Sequence, residues 1–161
     1  MKKLTNIILC SSMAIAMFTA CSNSEHVTVS GLKASDFDTI INSKPVKLFT
    51  LSNNNGMEVC ITNYGGRIVS LCVPNKENQP VDVVLGFDNI HQYADTVHSA
   101  SDFGAAIGRY ANRINKGQLT IGNEKIQLPC NNFGHCLHGG PSGWQYQVYD
   151  AELLDPQTLQ L

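Results

Sequence analysis

Arg113 and His138 are the residues of this 161-residue chain whose chemistry and setting best suit work on a ligand. Arg113 lies in Ala111-Asn112-Arg113-Ile114. Its guanidinium is a rigid fork of five donors that keeps its charge at any working pH. Taken alone it also fits a surface or salt-bridging arginine. His138 lies in Leu137-His138-Gly139-Gly140-Pro141. A histidine with a reference pKa of about 6.5 donates or accepts a proton near neutrality. The glycine pair after it permits tight backbone turning and close approach of a ligand. A lone histidine is otherwise a satisfied or surface residue. Gly139-Gly140 makes a poor phosphate loop, because neither a Lys-Ser/Thr pair nor a clear helix follows.

The six cysteines do not spell a metal site. There is no C-x-x-C, and His135 and His138 alone give zinc too few ligands. Cys10 and Cys21 fall in the N-terminal segment. Cys60 and Cys72 lie inside apolar strand patterns and read as small buried hydrophobes. Cys130 and Cys136 flank a turn-rich loop and could pair in an oxidising compartment. The formal net charge is -2, from 11 basic and 13 acidic residues. Without Lys2 and Lys3 the basic count is nine and the charge -4. Nothing here forms the basic stripe that a nucleic-acid partner calls for.

The elements that must position these groups read as short strands. Residues 46–51 alternate, Asn53-Asn54-Asn55-Gly56 is a turn, and residues 57–62 alternate apolar and polar with period two, the mark of a half-buried strand. Further strands are predicted over 67–73 and 81–86. Residues 87–101 show no clean period and read as an irregular connection, and 104–115 as irregular or short strand. Residues 118–121 and 124–128 flank Gly122-Asn123, a two-residue link that hairpins favour. Another strand is expected over 145–151. Such spacing predicts an all-β sandwich with no convincing amphipathic helix.

The N-terminus reads as an export signal. Met1-Lys2-Lys3 is a short positive region, and the apolar stretch over 7–18 is shorter than the roughly 20 residues that span a bilayer. Phe18-Thr19-Ala20-Cys21 resembles a bacterial lipoprotein signal, with cleavage before Cys21 and acylation of its thiol. An ordinary secretory signal cleaved nearby is the alternative. The segment is set aside from the fold. The organisation expected is therefore a signal over 1–20, a polar linker and lead-in over 21–45, and a β domain over 46–161.

Several blocks then add up. Asn63-Tyr64-Gly65-Gly66-Arg67-Ile68-Val69-Ser70-Leu71 resembles a stretch of the aldose 1-epimerase (galactose mutarotase) family, and Val83-Val84-Leu85-Gly86-Phe87-Asp88 is similar to the strand that follows there. The most specific match is Phe103-Gly104-Ala105-Ala106-Ile107-Gly108-Arg109-Tyr110-Ala111-Asn112-Arg113-Ile114. Lys116-Gly117, Gly122, Asn131-Asn132, Leu137-His138-Gly139-Gly140-Pro141 and Gly143 continue it in order. The resemblance covers residues 46–151, under half of a full-length member.

That resemblance implies a galactose-mutarotase-like β-sandwich (supersandwich), here incomplete, in an isomerase of hexose metabolism. It implies interconversion of the α and β anomers of free hexoses such as galactose and glucose. One group protonates the ring oxygen while another removes the anomeric hydroxyl proton, which opens the ring. The reaction requires no cofactor, and calcium enters only by analogy with some exported relatives. Asn112 and Arg113 are implied to hold sugar hydroxyls, and His138 to lie near the ring oxygen or O1 in an auxiliary role. Arg109 is expected to be structural. The family's main acid, a histidine, its base, a glutamate, and a sugar-binding aspartate belong to the C-terminal half. Those roles do not transfer to His135 or Glu124.

This sequence departs from the family pattern at His135, Trp144, Tyr149 and Ser101-Asp102, which bears on substrate preference more than on membership. Trp144 reads as a core or rim aromatic, or as a face for the sugar. Thr158-Leu159-Gln160-Leu161 opens a strand, so the chain is expected to be a fragment: inactive alone, and partly unfolded because apolar faces stay uncovered. The expected partners are an aldohexose and, through a lipid anchor at Cys21, the membrane of the cell envelope. A non-catalytic carbohydrate-binding β-sandwich is the rival reading.

Overall fold

The computed structural model describes residues 27–98 and 101–161. The signal, Cys10, Cys21 and the first residues of the linker lie outside them.

A four-stranded antiparallel sheet organises the first half. It runs in sequence order through Leu48–Ser52, Glu58–Thr62, Arg67–Pro74 and Pro80–Asp82. The Asn53 turn closes the first hairpin: its side-chain oxygen accepts the N–H groups of Asn55 and Met57, at 2.9 and 3.0 Å. In Glu58–Thr62 the most deeply buried residues are Cys60 and Thr62, while the apolar Val59 and Ile61 are only half-buried. Hydroxyls make this buried face tolerable. Ser70 donates to Ser30 at 2.9 Å, and Thr28 and Ser30 lie 3.0 Å apart. Cys60 and Cys72 are buried, as expected of small hydrophobes, and all four cysteines among the described residues are free thiols. Of the strand expected over 81–86 only Val81 and Asp82 pair in register with the sheet, within Pro80–Asp82, and the Val83 N–H donates to the Leu71 carbonyl at 3.0 Å. Beyond it, the Asp82 carboxylate caps the N–H groups of Leu71 and Val84, both at 3.0 Å.

The linker and lead-in expected before residue 46 carry core instead, from Thr28 onward. Leu32 and Phe37 are buried, and Thr39–Ile41 pairs with Lys44–Val46 around Asn42-Ser43, both at positive φ. Phe37 packs with Val46, Tyr64, Val69, Ile90 and Tyr93. The last two come from a five-residue helix, Ile90–Ala94, inside the connection read as irregular. The Asn89 side chain caps its first turn by accepting the Gln92 N–H at 3.1 Å, a common way to satisfy an orphan donor.

The second half is a set of two-stranded pieces. Arg113–Ile114 pairs with Cys136–Leu137, Gln118–Ile121 with Glu124–Gln127, and Glu152–Asp155 with Thr158–Gln160. In the central hairpin Ile121 faces Glu124, so Gly122-Asn123 is the two-residue link the sequence predicts. No strand forms over 145–151. Gly65 donates to the Gln147 carbonyl at 2.7 Å and Tyr149 to the Asn63 carbonyl at 3.0 Å. The partner of that segment is a turn, so its bonds form one isolated bridge, Tyr64 to Val148. The fold of the described residues is all-β, apart from the short helix and several 3-10 turns.

Candidate active site

Asn112, Arg113 and His138 come together at the open end of the pair formed by Arg113–Ile114 and Cys136–Leu137. The register sets Arg113 opposite Leu137, which leaves Asn112 facing His138 one step further along. The two are joined twice. The His138 backbone N–H donates to the Asn112 carbonyl at 3.0 Å, and the Asn112 backbone N–H donates to His138 Nδ1 at 2.8 Å. Both residues sit at positive φ, 61° and 53°. That region suits asparagine and histidine better than most residues.

The second contact fixes the imidazole. Nδ1 accepts, so in the neutral ring the proton lies on Nε2. No described residue engages Nε2. It is a donor on a half-buried residue. Gly139 makes the approach possible, because at φ 83° a Cβ would overlap the Gly108 carbonyl oxygen. The same carbonyl accepts the Trp144 N–H at 3.2 Å, and this ties the Gly108 segment to the turn after Gly143.

Arg113 is exposed, yet its fork is held. Nε donates to Asn132 Oδ1 at 3.0 Å and Nη1 to Asn112 Oδ1 at 3.3 Å. No described carboxylate pairs with it, so neutral amide oxygens orient the guanidinium without cancelling its charge. Asn132 belongs to a turn closed by two backbone bonds with His135, at 3.1 and 2.8 Å. His135 Nδ1 accepts the Lys116 N–H at 3.1 Å, a scaffolding contact. Asn131 braces the same turn, its side chain bonding both the N–H and the carbonyl of Leu137, at 2.7 and 3.1 Å. The Asn131-Asn132 pair stood in the sequence pattern without a role.

Arg109 departs from expectation. It is exposed, with no hydrogen bond or ion pair to any described residue. It lines a cleft of about 630 Å³ that is otherwise largely apolar, with Ile114, Leu119, Ile126, Leu128 and the 40% exposed Trp144. Asn112, Arg113 and His138 stand beside this cleft rather than in its lining, though their neighbours Ile114 and Gly139 belong to it. Among the described residues no three His, Cys, Asp or Glu side chains gather as a metal site.

Arg67 connects to the site through Gln145 and is the largest fully buried side chain among the described residues, at 0% exposure. Burial pushes its guanidinium below its usual value, and the neighbouring Tyr64 and Asp102 oppose that shift. Its Nη1 donates to the carbonyls of Ser101 and Phe103, both at 3.1 Å, and its Nη2 to that of Gln145 at 3.0 Å. Asn63 does similar work, accepting the Lys47 N–H at 2.9 Å and donating to the carbonyls of Pro45 and Tyr149 at 3.0 and 2.9 Å. Both lie in the Asn63–Arg67 block that the sequence marked only by resemblance.

The family model for aldose 1-epimerase matches residues 47–159. The chain belongs to the aldose 1-epimerase family. It is 38% identical over 114 residues to a galactose mutarotase of Mus musculus, covering 71% of this chain and 31% of that protein. Against an aldose 1-epimerase of Escherichia coli (strain K12) the identity is 36% over 101 residues, 63% of this chain and 28% of the relative. Among solved structures, an aldose epimerase homologue from C. elegans superposes with a TM-score of 0.66 at 29% identity, covering 71% of this chain and 34% of that one. The all-β fold is thus of the galactose-mutarotase type. The chain spans under a third of the length of these two curated relatives.

Proposed function

We propose that this epimerase-family chain contributes the hydroxyl-binding half of a mutarotase site for free hexoses such as galactose and glucose. Asn112 and Arg113 grip ring hydroxyls, and His138 offers its Nε2–H to the ring oxygen or O1. The observation that carries the reading is the Asn112 N–H to His138 Nδ1 bond, because it dictates which imidazole nitrogen faces a ligand. Ring opening needs one proton delivered and one removed, each worth roughly 10²–10⁴-fold when the group is well placed. No carboxylate stands among these three residues. The main acid and base are accordingly assigned to the part of the family fold that these 161 residues do not match. On this reading the 161 residues alone do not catalyse.

The test is polarimetry of freshly dissolved α-galactose with the full-length protein. The variant His138→Asn keeps an acceptor near the Nδ1 position but removes Nε2–H. It should lower kcat/KM by about 10²-fold, and Arg113→Ala should weaken sugar binding. Parent-like kinetics in both variants would reject the site. Saturable sugar binding by the full-length protein with no mutarotation would make it a carbohydrate-binding module instead. For the export signal and Cys21 anchor, the proposal is membrane attachment at the cell envelope. Labelled palmitate should be incorporated by the parent and not by Cys21→Ser.

A further inference from the structure

We infer that Asn132 is a positioning residue: its side-chain oxygen fixes Arg113 so that the guanidinium presents its Nη face to the sugar with its charge intact. The inference rests on the reading of Arg113 as a hydroxyl-gripping residue. Three observations carry it. The Arg113 Nε to Asn132 Oδ1 bond, at 3.0 Å, holds the rear of the fork. Asn112 Oδ1 takes only one Nη1 proton, at 3.3 Å. Meanwhile the Asn132 backbone is locked from both sides by His135, so the amide does not wander.

The chemistry explains why the acceptor is an amide. A long arginine loses rotamer freedom when it is ordered, and that loss is set against every contact it makes. A preset fork loses less on binding. A carboxylate would hold the fork more strongly but would pair with the positive charge. An amide oxygen orients Arg113 and leaves the charge to the ligand. The remaining guanidinium N–H groups have no described acceptor. They supply at least two donors in one plane, the arrangement that neighbouring hydroxyls on a pyranose can satisfy together. A hydroxyl that does not react is gripped equally in ground and transition states, so the loss should appear in KM.

The side chain of Asn132 makes no other described hydrogen bond, so its removal should leave the fold intact. In the full-length protein, the Arg113 Nε–H resonance, identified by its loss in Arg113→Lys, should exchange slowly with solvent. In Asn132→Ala that protection should disappear, and KM for α-galactose should rise about tenfold with kcat within about twofold. Asn132→Asp keeps an acceptor in the same place, so it should restore slow exchange, while the new carboxylate pairs with the guanidinium and leaves KM only partly recovered. An Nε–H equally protected in Asn132→Ala overturns the positioning role, whatever the kinetics. An Asn132→Asp variant whose Arg113 Nε–H exchanges as fast as in the alanine overturns it too. Arg113→Ala with unchanged galactose binding overturns the sugar reading beneath it, even if the Nε–H signal still responds to Asn132.

Discussion

Replacing Arg67 tests how the fold holds the site. Its guanidinium is fully buried, forms no ion pair with a described carboxylate, and ties together three carbonyls from two separate loops at 3.0–3.1 Å. It also lies over two rings, 5.5 Å from the Tyr64 centroid and 5.3 Å from that of Tyr93. In Arg67→Lys a single ammonium replaces the fork. It cannot reach Ser101 and Phe103 on one side and Gln145 on the other. At least one charge-assisted bond is lost, worth about 1.5–3 kcal/mol, and a carbonyl is left unpaired at about 1–3 kcal/mol. The expected destabilisation is about 3 kcal/mol. In Arg67→Met all three carbonyls are stranded, but the burial cost of the cation is also removed. The bonds should still win, with a loss of about 3 kcal/mol or more.

Urea unfolding of the full-length parent and both variants measures this. A methionine variant within about 1 kcal/mol of the parent, or above it, would refute the reasoning. It would mean that desolvating the cation costs as much as its three bonds return. The effect should reach the site as well. Gln145 follows Trp144, whose N–H holds the Gly108 carbonyl, and the chain from Gly108 leads directly to Asn112 and Arg113. Loosening the Gln145 end should therefore weaken galactose binding even where the fold survives.

Three further outcomes are expected. Gly139→Ala puts a Cβ onto the Gly108 carbonyl at a φ of 83°, and left-handed backbone alone costs about 1–2 kcal/mol; His138 should shift and kcat/KM drop at least tenfold, and parent-like kinetics would contradict the close approach. Asn63→Asp sets a carboxylate against the Pro45 and Tyr149 carbonyls in place of an NH₂ donor, so it should cost about 2–4 kcal/mol in denaturant unfolding, and a neutral result would show that Asn63 is not satisfied by that network. Burial, as the largest cause, pushes the Cys60 thiol and the Tyr64 and Tyr93 phenols above their usual values. Their neutral forms are thus favoured by folding: full stability holds below about pH 8.5, and it falls as pH rises past the unfolded values, first for Cys60 and then for the tyrosines. A urea midpoint flat from pH 8 to 10.5 would sink that assignment, and Cys60→Ala should reduce the earliest part of the decline without abolishing it, because burial raises the Cys72 thiol as well.

What the sequence reveals here depends on how local the cause is. Gly122-Asn123 specifies its hairpin because both partner strands lie within one ten-residue stretch, and the structure pairs Ile121 with Glu124 accordingly. The Ile90–Ala94 helix is too short for a hydrophobic period to show, though Asn89 three residues ahead of Gln92 was a readable cap. The segment after Gln145 carries β-forming residues, yet whether they pair depends on residues 63–65, eighty positions away, which present a turn and not an edge. Phe37 sits in a stretch whose polar neighbours hide it. Only the completed core of Val46, Tyr64 and Tyr93 gives it a place.

The site shows the same division at finer scale. Residue types picked out Arg113 and His138, but no periodicity could bring Asn112 against an imidazole 26 positions later. That contact arises because a two-residue strand pair sets the register, and because both residues then tolerate positive φ at its end. Resemblance supplied the grouping, since a family motif records a spatial arrangement that the chain does not spell out locally. It did not supply the residues behind the grouping. Asn132 and His135 act through single bonds to Arg113 and to the Lys116 backbone. Such roles leave no signature of composition or spacing, because any short polar side chain in a turn reads alike until its partner is in view. The orientation of a binding group is therefore the part of this site least visible in sequence, and Asn132 is where a single substitution can expose it.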